Sequence, residues 1–85
     1  MEQISQIVDG IETREDLAAF LSVAVRDLNA NPGVWENDSL ESFLSAWSAW
    51  MVDCPGWFAA RGESVPEAPS WKLIGQMVLA ARVYE

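Results

Sequence analysis

The chain has 85 residues, with thirteen acids against five bases, a formal net charge of −8, no histidine and a single cysteine. That length makes one domain, residues 1–85, and no more. The charge argues against nucleic acid and anionic membrane as partners, since both select Lys/Arg clusters, and the missing histidine removes the commonest general base and metal ligand.

Cys54 stands alone, so it has no internal disulfide partner, and a thiolate metal site would lack its other ligands. The opening MEQISQIVDG shows no basic region followed by an apolar run, so no signal peptide is expected. No window holds the ~18 uninterrupted apolar residues that a membrane span requires. The expected compartment is the cytoplasm. The acids are spread along the chain rather than gathered in a disordered tail. Five tryptophans and three phenylalanines supply enough apolar area for a core without staples.

In chain order, the first segment is Met1 to Glu12. Ile4, Ile7, Val8 and Ile11 have helical spacing, interrupted by Asp9-Gly10. Two forms fit this pattern: a short helix ending near Gly10, or an irregular arm laid over the core. Thr13 then offers a cap oxygen, and Glu15 and Asp16 fall in a first turn, where acids suit the helix dipole. From there Leu17, Ala18, Phe20, Leu21, Ala24, Val25 and Leu28 share one face of a helix. Asn29 to Gly33, with Pro32, stops it.

After the connection Val34 to Asp38, Asp38 is the expected cap of the next helix, with Glu41 completing a capping box. Leu40, Phe43, Leu44, Trp47, Trp50 and Met51 form its apolar face. Ser42, Ser45, Ala46, Ala49 and Asp53 form a second, smooth face of small residues, suited to solvent or to a close partner. Cys54-Pro55-Gly56 is expected to end this helix, leaving Trp57 to Ala60 at most one further turn. A loop containing Pro66 and Pro69 leads to Ser70, the cap of a helix expected to run to Glu85. In it Trp71, Leu73, Ile74, Met77, Val78, Ala80, Ala81 and Tyr84 cover about half the circumference. Leu79, Val83 and Arg82 fall on the other side. A helix so widely apolar is one that neighbours cover from several sides, so it is expected to be central. Met77, Ala81 and Trp50, mid-face on their helices, are expected to be mostly buried. The fold expected is all-α: a compact bundle of three main helices plus short N-terminal and connecting helical segments.

Trp35-Glu36-Asn37, the helix with leucine, phenylalanine and two tryptophans, Pro69-Ser70-Trp71-Lys72 and the terminal Ala80-Ala81-Arg82-Val83-Tyr84-Glu85 together resemble a small bacterial domain family of unknown function. The resemblance runs from about Thr13 to the end. It implies kinship, and it brings no activity, cofactor or partner with it. In size and charge the chain is similar to immunity proteins of bacterial toxin systems, which is an analogy only.

Carboxylate pairs are the only catalytic material. Glu15 with Asp16, and Glu36 with Asp38, each stand at a helix start, where acids are favoured without catalysis. Glu36-Asn37-Asp38 lacks the ligand count and glycine spacing of a calcium loop. Cys54 has no histidine to activate it, so a structural thiol is expected. No enzyme activity, cofactor or metal is expected. Trp35 and Trp57 lie outside the expected helices, where an aromatic either closes the core as a lid or anchors a partner. In the second case Trp35, Trp57 and Phe58 beside Glu36, Asp38 and Glu41 form a candidate partner-binding patch, an apolar anchor rimmed by acids and suited to a basic protein. The expected function is therefore a protein–protein interaction module, immunity-like or regulatory. The alternative is a small carboxylate-based enzyme or ligand-binding domain.

Overall fold

The computed structural model describes residues 3–85. Four helices follow one another: α1 (Gln3–Val8), α2 (Arg14–Ala30), α3 (Leu40–Ala60) and α4 (Trp71–Ala81), with a single 3-10 turn at Pro32–Val34 between α2 and α3. No strand occurs among the described residues, so the fold is all-α as expected. The ambiguous N-terminal segment is a short helix that turns at Gly10, whose amide donates to the Ile7 carbonyl at 3.0 Å. Met1 and Glu2, the start of that segment, lie outside the described residues.

α2 begins as its sequence dictates. The Thr13 hydroxyl accepts from the Asp16 amide at 3.0 Å, while the Asp16 carboxylate accepts from the Glu12 and Thr13 amides at 3.0 and 3.2 Å. The Glu12 amide foremost, with lesser help from Thr13, holds the Asp16 carboxyl below its ordinary value against the opposing effect of burial. Of the expected apolar face, Leu17, Phe20 and Ala24 are buried, whereas Ala18, Leu21 and Val25 are exposed.

α3 departs from expectation in three ways. Its cap is Ser39, whose hydroxyl accepts from the Ser42 amide at 3.1 Å, so Asp38 stands one position too early and the Asp38–Glu41 box does not form. The helix also runs through Pro55 to Ala60 instead of stopping there. Proline has no N–H, which leaves the Met51 carbonyl without its usual backbone donor, and the Cys54 thiol donates to that carbonyl at 3.5 Å. A proline inside a helix costs about 3 kcal/mol, and burial of Cys54 and Phe58 beside and beyond it opposes that cost. Gly62, with φ +73°, supplies the left-handed residue after the Arg61 cap. Finally, the buried row is Ala46, Trp50, Cys54 and Phe58, one residue in every four. The expected face was centred to one side of this row. Ala46, assigned to the smooth face, is core, and Leu40, Leu44 and Met51 are exposed.

α4 is central, and the core divides around it. Ile74, Val78 and Leu79 pack with Ile4, Val8, Leu17 and Phe20 from α1 and α2. Leu73, Met77 and Ala80 pack with Trp50, Cys54 and Phe58 of α3. Trp50 and Ala81 are buried as expected, but Met77 is only half-buried, its sulfur accepting from Trp47 Nε1 at 3.2 Å. Gly75 lets the end of α1 and the turn after it approach closely: a Cβ there would lie 2.5 Å from Ile11 Cδ1 and 3.1 Å from Val8 Cγ2. α2 and α3, by contrast, have no Cα atoms within 8 Å of each other. They flank α4 and leave a trough above it.

Candidate interaction surface

The helix expected to reach Glu85 ends at Ala81, and the reason is Asn37. Its side-chain amide donates to the carbonyls of Ala81 and Tyr84 at 3.0 and 2.8 Å, and its backbone amide donates to that of Arg82 at 2.8 Å. One residue from the α2–α3 connection thus satisfies three carbonyls at the C-terminal end of α4. On either side of Asn37 its neighbours do different work. The Trp35 indole is buried, its Nε1 donating to Asp27 Oδ2 at 2.7 Å. Arg82, expected on the outer side of α4, folds inward, is 6% exposed and pairs with Asp27 at 3.6 Å. Its guanidinium lies 5.8 Å from the Trp35 ring centroid. Trp35 is therefore a lid that ties α2 to the end of α4, and it is not a partner anchor.

Glu36 points the other way. It is exposed and meets the Glu85 carboxylate, which raises its carboxyl above the ordinary value of 4.5 through a shared hydrogen bond first and charge repulsion second. A raised folded value means that the folded chain keeps a proton that the unfolded chain has released. Stability therefore falls as pH rises from 4.5 through that raised value. Replacing Glu85 by glutamine is expected to raise the melting temperature slightly near neutral pH, with the gain shrinking as the pH falls and Glu36 takes up its proton. Melts showing the same shift at every pH would rule out the repulsion.

Asn37→Ala is expected to lose about 1–3 kcal/mol, because it strands half-buried carbonyls of Ala81 and Tyr84. Denaturant midpoints with unchanged slope would measure this. A loss below about 0.5 kcal/mol would mean that the C-terminal segment is held by other contacts.

The remaining candidates fall along one edge. Asp38 and Glu41 are exposed at the start of α3. Glu41, Ser42, Ser45 and Ala49 line an open groove of about 520 Å³ closed on its far side by Tyr84 and Glu85. A second hollow of about 590 Å³ continues from Tyr84 and Glu85 past Asp53 and Val83 to Trp57. Tyr84 donates its hydroxyl to the Asp53 carboxylate, and that bond, with lesser effects of burial and charge, raises the phenol above its ordinary value of 10.0. Trp57 is on α3 rather than in a loop, 36% exposed, edge-on to Trp50 and Phe58, with the Arg61 guanidinium 4.4 Å from its ring centroid. Phe58 is buried and leaves the patch. Glu36, Asp38, Glu41 and Trp57 remain, joined by residues that the sequence did not single out: Asp53, Tyr84 and Glu85. Only the AA-x-x-YE ending pointed at the last two.

Among the described residues no cluster of three or more His, Cys, Asp or Glu is placed to hold a metal ion. No helix among them is long and apolar enough to cross a membrane.

Residues 13–85 match DUF7660, a family of unknown function. The chain belongs to that family. The DUF7660 match begins at Thr13, the cap of α2, so it takes in α2, α3 and α4 and leaves α1 outside. Both halves of the Asn37 clamp lie within the DUF7660 region. No curated protein and no solved structure matches the chain.

Proposed function

We infer that this is a cytoplasmic protein-interaction module that binds a basic protein through the edge formed by Glu36, Asp38, Glu41 and Glu85, with Trp57 as its apolar anchor. The observation that carries this reading is the Glu36–Glu85 contact, two acidic side chains held side by side on the surface. The fold does not neutralise this edge: no lysine or arginine among the described residues is ion-paired with Glu36, Asp38 or Glu41. A lysine or arginine from a partner would relieve the repulsion, and a net charge of −8 would steer such a partner inward. Trp57 supports the reading because it is exposed and reaches the same edge through Tyr84 and Glu85.

The test begins with partner capture on the immobilised chain and on the Glu36→Gln, Asp38→Asn and Trp57→Ala variants in parallel. For a captured protein, association rates are then measured between ~50 and ~300 mM salt. Neutralising an acid is expected to slow association and flatten its salt dependence, whereas Trp57→Ala is expected to speed dissociation. Rates indifferent to salt and to all three substitutions would leave the charge with solubility as its only role.

A further inference from the structure

The N-terminal segment is set off from the rest of the chain in three respects. The match to DUF7660 begins at Thr13, so α1 and the turn after it lie outside the region that the family shares. α2 starts without them: Thr13 and Asp16 cap it reciprocally, and the Glu12 amide, at the joint, donates to the same Asp16 carboxylate. Among the described residues no backbone hydrogen bond joins residues 3–11 to α2 or α4. The bonds that close the turn, Gly10 to Ile7 at 3.0 Å and Ile11 to Val8 at 3.3 Å, stay within the segment. Six helical residues are too few to hold a helix in water by themselves. The segment is helical because of what it lies on.

It lies in a groove between α2 and α4. Ile4, Val8 and Ile11 are spaced i, i+4 and i+7, fall on one stripe and are all buried. They pack with Leu17, Phe20 and Ala24 of α2 and with Val78 of α4. Gly75 forms the floor, since a side chain there would take the space that Ile11 and Val8 now fill. Glycine inside a helix is destabilising relative to alanine, and the close seat of the segment accounts for one within α4. α1 has no Cα within 8 Å of α3, so the groove belongs to two helices of the DUF7660 region. We propose that residues 3–11 are a detachable arm and that this groove is a docking site for a short amphipathic helix, filled in cis by the arm. The class of ligand follows from the arm: aliphatic, mostly β-branched side chains at i, i+4 and i+7, with a turn at the end. A segment of another protein with that pattern is what the groove takes when the arm is out. The site uses none of the residues of the acidic edge, so it is independent of the basic partner inferred above.

Tethered, the arm meets its groove at an effective concentration on the order of millimolar and outcompetes free peptide, so the tether is removed after folding. A protease recognition sequence of about six residues is inserted between Glu12 and Thr13, both exposed, where added length costs little. The folded full chain is then cut, and a fluorescent peptide of residues 1–12 is added. The cut protein is expected to keep its helical circular dichroism, and the peptide to replace the arm reversibly, read as a rise in anisotropy. Val8→Asp in the peptide is expected to weaken binding at least tenfold by placing a charge among apolar side chains. Gly75→Leu in the protein, which fills the groove from its floor, is expected to do the same. Loss of helical structure on cutting would overturn the proposal, because the arm would then be a permanent part of the core. Failure of the cut protein to take up the peptide, or equal binding of the Val8→Asp peptide, would overturn it as well. The unmodified chain gives a second measurement. Hydrogen exchange at the Val8 amide is expected to be at least tenfold faster than at Val78 of α4, through an opening that leaves α4 folded. Equal protection at the two would show that the arm leaves only when the whole molecule unfolds, and would overturn the proposal.

Discussion

Asp27→Ala is expected to lower stability by about 3–5 kcal/mol, the range for breaking a buried ion pair from one side. Asp27 is a hub: its carboxylate accepts from the Trp35 indole at 2.7 Å and the Asn31 side chain at 3.3 Å, and it pairs with Arg82 at 3.6 Å. The Arg82 side chain is only 7% exposed, so water cannot replace the lost carboxylate well. A chain of this size has about 4–13 kcal/mol of net stability, so the loss is a large share of the total at the lower end of that range. Asp27→Asn keeps an acceptor for Trp35 and should lose less. Combining Asp27→Leu with Arg82→Met removes both charges and should recover part of the loss, since an apolar pair of similar volume can replace a buried ionic one. Urea titrations of the four proteins decide it. A loss below about 1 kcal/mol for Asp27→Ala would show that Arg82 and Trp35 are held by other contacts.

Phe20→Ala should cost a similar amount, about 3–5 kcal/mol, for a different reason. Phe20 is the one large side chain among the described residues with no exposure at all, and it lies where α1, α2 and α4 meet. Removing the ring leaves a cavity that three helices cannot all close upon, so lost transfer energy and lost dispersion add. Leu21, its neighbour in sequence, is 41% exposed; Leu21→Ala should cost under about 1 kcal/mol. Equal effects at the two positions would mean that the α2 face is rotated from the one described.

Those two positions illustrate what helical periodicity can and cannot resolve. It places Phe20 and Leu21 on the same apolar face, about 100° apart, but the boundary between core and exposed wall depends on where α1 and α4 lie. On α3 the same limit displaced the face: Ala46 looked like a smooth outer residue because alanine carries little polarity signal, and it is core. Pro55 signals a helix end through its local cost, which is real, whereas the burial of Cys54 and Phe58 that opposes it is tertiary. The central position of α4 was legible because a helix apolar on more than half its surface needs neighbours on several sides to cover it. At the candidate surface, the exposed acids were legible from charge alone. Asn37 was not, because its partners are forty-odd residues away and no local pattern announces a side chain that caps another helix. Trp35 was legible as either a lid or an anchor and Arg82 looked like a surface group, because only the fold brings Asp27 between them.

The placement of α4 bears on how the protein is made. Helices appear in chain order on the ribosome, and the one that both halves of the core pack against is the last of the four. Until Trp71 to Ala81 has emerged, α1 and α2 can pair, but α3 has nothing to lie on, since its backbone stays more than 8 Å from that of α2. The row Ala46, Trp50, Cys54 and Phe58 is then open to solvent. A chain released after truncation before Ser70 should therefore recruit chaperones and be cut readily by protease, whereas the chain that includes α4 should resist.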